Sequence, residues 1–289
     1  MKTVVRILAV ILSLSLVFAC KKNSNDTGTA YNGPRLSKVI VWTSLSPTPS
    51  IEIYEYHFDA LKRVTEMTYA RGDSASGESQ ATYMSSNAKK WFYNGDEQQP
   101  YKCTGSGASN YEKYFFYDNQ GKLATDSMVS DNCNCYYLEK YSWFNDKIIL
   151  NSTSATYSVG VTANFRDSSL ISNTNYLANY NFNNSPAELR GRLYTYDNKI
   201  SAFHTLNIHV ASPITTAEWG FAPGYSNNNA TEVTSGSIPI TSLGYGSFIK
   251  DKTYTYKYTY NPNNLPDACE ANIGSANPLP AHIKFYYTN

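Results

Sequence analysis

Between Lys252 and Tyr260 the chain reads Lys-Thr-Tyr-Thr-Tyr-Lys-Tyr-Thr-Tyr, a tyrosine at every second position with threonine or lysine between. Side chains alternate between the two faces of an extended strand, so this segment buries one aromatic face and wets the other. Ile51 to Phe58 alternates in the same way. Helical periodicity is almost absent. Short helical turns are expected only at Ser185-Pro186-Ala187-Glu188, which has a cap, a first-turn proline and a glutamate, and at Thr215-Thr216-Ala217-Glu218. A chain so patterned folds as antiparallel β-sheet. Its 26 tyrosines make the aromatic share 15%, almost equal to the 16% of charged residues.

Several alternating runs end alike. Tyr56 to Val64, Phe115 to Leu123 and Tyr258 to Pro266 superpose without gaps, each with Asp or Asn (Asp59, Asp118, Asn261) after two or three aromatic or alternating residues. Shorter versions stand at Trp143 to Ile148 and Tyr194 to Ile200. The Asp or Asn opens a polar turn by accepting bonds from amides further on, and Gly or Asn supplies a left-handed position. The pattern aromatic-x-aromatic-Asp-x-x-Gly-Lys-Leu resembles the tyrosine–aspartate (YD, RHS-like) repeat. With the N-terminal signal described below, the chain is similar to uncharacterised Bacteroidota lipoproteins built from YD-like hairpins. The resemblance implies a fold class and no activity: an all-β antiparallel meander of hairpins in a large twisted, curled sheet, with one or two short helical turns.

A meander of more than about ten strands cannot stay flat, because twist accumulates. With no proline-rich or charged divider after residue 37, residues 37–289 are expected to form a single all-β domain. If the Asp-led turns share one end of the sheet, the loops 94–110 and 130–134 share the other. That places Cys103 near Cys133 and Cys135, and predicts a disulfide from Cys103 to one of them, with Cys269 as the remaining candidate. Cys133 and Cys135 are too close in sequence to pair easily with each other, and no histidine or second Cys pair stands at zinc spacing. Residues 204–250, with Pro213, Pro223, Pro239 and Asn227-Asn228-Asn229, break the alternation. They are expected to be irregular, either a functional loop or a cover for a sheet edge.

The N-terminus is an address. Residues 1–19 read as a signal peptide: a short basic start and an apolar run from Ile7 to Ala19, too short for a comfortable permanent span. Leu16-Val17-Phe18-Ala19-Cys20 resembles the bacterial lipobox, which implies cleavage after Ala19 and acylation at Cys20. Residues 20–36, rich in Asn, Ser, Thr and Gly, then form a flexible tether. Two or more acyl chains anchor stably. Lysine at 21 argues, by analogy with lipoprotein sorting, for the outer membrane, leaving its cell-surface and periplasmic faces both open.

Charge and motif content narrow the function. With 24 basic and 23 acidic residues the chain lacks the excess a nucleic-acid binder needs, and a mean hydropathy of −0.44 excludes a polytopic helical membrane protein. No nucleophile elbow, zincin or phosphate-loop motif occurs, and no cofactor or metal site is expected. Glu52, Glu55 and Glu66 are the carboxylates that could pair across strands for glycoside hydrolysis. His204 and His209 fall on opposite faces if they share a strand. Arg71-Gly72-Asp73 is read as a turn, and Asp73-Ser74-Ala75 and Asp126-Ser127-Met128 resemble a Bacteroidota O-glycosylation acceptor. Strand tyrosines, Trp91 and Trp143 are assigned to packing. Trp219 and Tyr225, in irregular sequence, are the candidate ligand-binding residues. The leading expectation is a lipid-anchored, non-catalytic protein that binds a glycan or another partner. A structural component of an envelope complex, working by strand addition, is the alternative, and a glycosidase a remote one.

Overall fold

The structure is a computed structural model. It describes residues 31–289 except 44–48, 74–77, 79–80, 84–87, 107–109, 131–134, 144–146, 159–160, 173–175, 180–187, 209–227, 242–243, 246, 248 and 274–278. The strands are β1 (Arg35–Thr43), β2 (Ser50–Phe58), β3 (Val64–Asp73), β4 (Thr82–Tyr83), β5 (Lys89–Phe92), β6 (Lys102–Gly105), β7 (Tyr111–Tyr117), β8 (Leu123–Ser130) and β9 (Cys135–Trp143). They continue as β10 (Lys147–Ser158), β11 (Val161–Ser172), β12 (Tyr176–Asn179), β13 (Glu188–Ile200), β14 (Asn228–Thr241), β15 (Gly244–Tyr245), β16 (Ile249–Tyr260), β17 (Pro266–Ile273) and β18 (Leu279–Thr288).

Every ladder among them is antiparallel. From β12 the order runs back through β11, β10, β9, β8, β7, β6, β5, β3 and β2 to β1. There β1 also pairs with β18, and the order continues through β17, β16 and β14 to β13. The ends of this order, β12 and β13, approach within 8 Å Cα to Cα, although no ladder joins them among the described residues. The fold is therefore the expected all-β antiparallel sheet, curled because twist accumulates over so many strands.

One face of the curl is apolar. Val39, Tyr54, Met67, Trp91, Cys103, Phe115, Val233, Tyr256, Cys269, Ile283 and Phe285 belong to one buried cluster drawn from strands on both sides of β1. The outer face carries Lys38, Glu55, Glu66, Lys90, Lys102, Glu112, Glu270 and Lys284. A smaller apolar cluster, Ile40, Ile51 and Ile53, lies on the outer face of β1 and β2 and packs against Ala81 from the β3–β4 connection.

The aligned turns have one structure. Asp59 Oδ1 accepts from the amides of Leu61 and Arg63 at 3.0 and 2.9 Å, and Asp118 Oδ1 from Gln120 and Lys122 at 2.8 and 2.9 Å. Asn261 Oδ1 accepts from Asn263 and Leu265 at 2.9 and 3.2 Å. The fourth position is left-handed in each: Lys62 at φ 59°, Gly121 at 76°, Asn264 at 58°. A bulge on the outgoing strand follows each turn, at Thr65, Ala124 and Asp267, so Phe58 faces Val64, Tyr117 faces Leu123 and Tyr260 faces Pro266. Tyrosine hydroxyls satisfy carbonyls that the bulges leave free: Tyr93 donates to Val64 and Tyr287 to Pro266.

Several expectations are corrected. Asp197 does not open a hairpin. It lies in an irregular stretch of β13, where Oδ1 accepts from the amides of Lys199 and Asn229 and Oδ2 from the Tyr260 hydroxyl. Glu188, expected in a helical turn, opens β13. Within 204–250, residues 228–241 form β14, a core strand whose Val233 and Thr234 are buried between β13 and β16. The helical element among the described residues is instead the 3-10 turn Phe203–Leu206, packed into the inner core rather than over an edge. Thr205 holds it there, accepting from Arg35 Nη1 at its carbonyl and from the Leu36 amide at Oγ1.

The disulfide expectation fails for a geometric reason. The segment 94–110 contains β6, which reverses the chain once more than expected, and Arg63 Nη1 bonds the Gly95 and Glu97 carbonyls at the Asp-turn end. Cys103 faces Lys113, Lys113 faces Met128 and Met128 faces Tyr137. Cys103 thus lies three strands from β9, which begins at Cys135, roughly 14 Å at about 4.8 Å per strand and beyond the reach of a disulfide. Cys103 and Cys269 are buried free thiols, and Cys133 lies outside the described residues.

Candidate functional site

The short strands β5 and β6 and the long β7 and β8 form a sheet segment with aromatic residues on both faces. In Tyr111-Glu-Lys-Tyr-Phe-Phe-Tyr117 the inward positions are Tyr111, Lys113, Phe115 and Tyr117, the outward ones Glu112, Tyr114 and Phe116. Phe115 is buried, whereas Phe116 is 55% exposed and Val129, on the same outer face of β8, 45% exposed. An outward face of a soluble strand ordinarily holds polar groups, so these residues stand out against the charged face elsewhere.

At the end of these strands away from the Asp turns lies a half-open groove of about 640 Å³. Lys90 and Ala88 wall it from β5 and the residue before it, Thr104 and Gly105 from β6 with Ser106 just after it, Tyr111 and Tyr114 from β7, and Val129 from β8. Ser106 donates its amide to the Ala88 carbonyl at 3.1 Å, continuing the pairing of β5 and β6 past the strand ends. A Cβ at Gly105 would overlap the Tyr111 ring, so glycine is what lets that ring lie against the backbone.

The polar lining is pre-arranged. Glu112 accepts from Lys102 Nζ at 2.6 Å and from the Tyr114 hydroxyl at 2.5 Å. The Lys102 ammonium stands over both Phe92 and Tyr114, 5.7 and 5.2 Å from their ring centres. The hydrogen bond from Lys102, and then that from Tyr114, holds the Glu112 carboxyl below its ordinary range, and the same bond raises Lys102. Glu112 is the carboxylate that lines the groove among the described residues, and these hydrogen bonds favour its ionised form. The groove therefore presents an aromatic ring, an ion pair, hydroxyls and an apolar rim.

Beneath the groove the inner face is basic. Lys89 is 8% exposed, opposite Gly105 on one side and Met67 on the other. Burial pulls its ammonium down to about 8, with Lys113 adding to that and Cys103 opposing it. Lys113 pairs with the buried Asp126 at 2.9 Å. Burial pushes the Cys103 thiol up to about 11, which keeps it protonated and unreactive.

The carboxylates proposed from the sequence are not brought together. Glu52 is buried on the inner face, where Tyr54 donates to it at 2.7 Å. Glu55 lies outside with Lys38, and Glu66 with Lys90. No carboxylate pair forms from these three. His204 is half-buried in the 3-10 turn, its pKa lowered by burial, and Trp91 is core, as expected. Arg71-Gly72-Asp73 ends β3 and is strand rather than turn. Trp219, Tyr225, His209 and Cys20 lie outside the described residues. The groove residues were missed because they carry no motif. The signal was the aromatic run Tyr114-Phe115-Phe116-Tyr117, the longest in the sequence, which puts rings on both faces of one strand.

No protein-family model matches the chain, and no curated protein is similar to it. Among solved structures it is similar to a porin-like protein from Bacteroides uniformis ATCC 8492, with 12% identity and a TM-score of 0.49 over 88% of this chain and 96% of that one. It is also similar to a porin-like protein from Bacteroides vulgatus ATCC 8482, with 10% identity and a TM-score of 0.45 over 89% of this chain and 99% of that one.

Proposed function

We propose that the protein is a non-catalytic glycan-binding protein, carried on the outer membrane by an acylated Cys20, with the groove over β5–β8 as its binding surface. The observation that carries this reading is the groove itself: a partly exposed aromatic wall beside fixed hydrogen-bonding groups. Sugars present apolar ring faces edged by hydroxyls, which such a surface complements through stacking and polar contacts.

The distribution of charge supports anchoring by lipid over spanning by strands. A membrane-spanning barrel turns an apolar band outward, whereas here Lys38, Glu55, Glu66, Lys90, Lys102 and Glu112 face outward and the larger apolar cluster faces in, the outward one being confined to Ile40, Ile51 and Ile53 and the side chains around them. Tyr31 and Asn207 exchange hydrogen bonds beside the 3-10 turn. From there the segment back to Cys20 can span at most roughly 40 Å, and it leaves the sheet at its Asp-turn end, opposite the groove.

Two experiments test this. Metabolic labelling with a radioactive fatty acid should mark the protein and not its Cys20→Ser variant; equal labelling of both removes the anchor assignment. On a glycan array, the mature domain should retain saccharides that the double variant Lys102→Ala with Tyr114→Ala releases. Unchanged binding by the variant removes the groove.

A further inference from the structure

Beyond the groove, the outward face of β7 goes on presenting aromatic side chains. Tyr114 lines the groove, and Phe116 follows it two residues on, outward by alternation and 55% exposed. Phe92, 39% exposed, lies opposite Lys102, which is in turn opposite Tyr114. The Lys102 ammonium stands over both rings, so the three side chains share one side of the sheet. Small polar side chains stand between the rings: Thr104 opposite Glu112, Ser127 opposite Tyr114 and Thr125 opposite Phe116. The rings therefore rise above a floor of hydroxyls instead of merging into one apolar patch. From Asn110 at the groove to Phe116 the chain runs roughly 20 Å, at about 3.4 Å per residue.

This pattern selects among the occupants open to such a face. A protein partner or a lipid surface gains most from contiguous apolar area, which the hydroxyls and Lys102 interrupt here. A sugar chain repeats the same alternation, an apolar ring face and then hydroxyls, unit after unit. We propose that the binding site continues from the groove along the outward face of β7 to Phe116 and holds an extended oligosaccharide along the strand. Tyr114 and Phe116 are its successive stacking platforms, and Phe92 is a side wall. The inference rests on the glycan-binding reading and specifies its ligand: the interior of a polysaccharide chain rather than a free mono- or disaccharide. Stacking on these side chains leaves the ladder amides of β7 as they are, so length dependence and a ring variant read this stretch.

Native gels cast with starch, xylan, mixed-linkage β-glucan or galactomannan identify a neutral polymer that retards the mature protein. The disaccharide and hexasaccharide cut from that polymer are then titrated calorimetrically. The hexasaccharide should bind about tenfold more tightly, the scale of an added ring contact. Phe116→Ala should bring the hexasaccharide down to the affinity of the disaccharide and leave the latter unchanged. Phe116→Tyr, which keeps the ring, should keep the preference. Because Phe116 is exposed, neither change should move the melting temperature. Equal affinities for the two lengths, or a preference that survives Phe116→Ala, would overturn the extended site while leaving the groove standing. If no polymer retards the protein and the glycan array is empty, the groove reading fails and takes the extension with it. Sedimentation with phosphatidylethanolamine–phosphatidylglycerol vesicles that Phe116→Ala abolishes, without any length preference for sugars, would give the face to lipid and overturn the proposal.

Discussion

Lys62 occupies a position that glycine and asparagine fill in the sister turns, with φ of 59° against 76° at Gly121 and 58° at Asn264. A side chain with a Cβ resists that conformation, so Lys62→Gly should stabilise the protein by about 0.5–1 kcal/mol and Gly121→Ala should destabilise it by about as much. Urea midpoints at constant slope would measure both, and a loss of stability in Lys62→Gly would contradict the strain. Lys89 gives a pH signature. Its folded pKa, about 8, lies below the unfolded value near 10.4. The unfolded chain therefore binds more protons between those values, and stability from this group rises as pH rises through that window. At pH 7 the buried ammonium costs up to about 3 kcal/mol, so Lys89→Met should be more stable than the wild type at pH 7 and should lose its advantage towards pH 10. Chemical denaturation at pH 7 and 9.5 would show the gap closing, and a constant gap would refute the assignment.

At the scale of elements, the Asp and Asn side chains are the fasteners of the hairpins. Removing one leaves two turn amides without their acceptor, so Asp118→Ala should cost about 1–3 kcal/mol, and Asn261→Ala a comparable amount. The Asp59 carboxyl differs in having Arg63 as a partner as well. It is buried enough for desolvation to raise its pKa, but its hydrogen bonds with Arg63 outweigh that and lower it. Its stabilisation is present above the ordinary carboxylate range and is lost as pH falls through the depressed folded value. These turns were legible in sequence because a local spacing of Asp, a left-handed residue and flanking aromatics determines them. The turn Phe203–Leu206 was not. Arg35, Leu36 and Phe285, which fix it, are more than 80 residues away in the chain, and nothing in Phe-His-Thr-Leu reports them. Phe203→Ala should cost about 3–5 kcal/mol, measurable by thermal unfolding, whereas an edge cover would lose far less. β14 was obscured for a related reason: its proline, glycine and paired asparagines suggest a loop, yet pairing on both sides overrides that preference.

Across the whole molecule, the sheet joins chain ends that sequence leaves far apart, since β1 lies between β2 and β18. The curl then brings tyrosines from both halves of the chain, Tyr54, Tyr56 and Tyr69 with Tyr256 among the described residues, into one core, which is why tyrosine recurs without marking a site. The site is where alternation fails, on β7 and β8. Sequence reasoning correctly expected the sheet; it assigned ligand binding to Trp219 and Tyr225, which lie outside the described residues, and gave no sign of the outward aromatics of β7, because the outward aromatics of a strand cannot be told from inward ones until the register is known. The most direct measurement of the binding role is hydrogen exchange of the mature domain with and without the saccharide it retains. Protection confined to the strand ends around residues 88–91, 103–106 and 110–114 is expected. Protection centred on residues 209–227, with those strand ends unchanged, would contradict the groove as the binding surface.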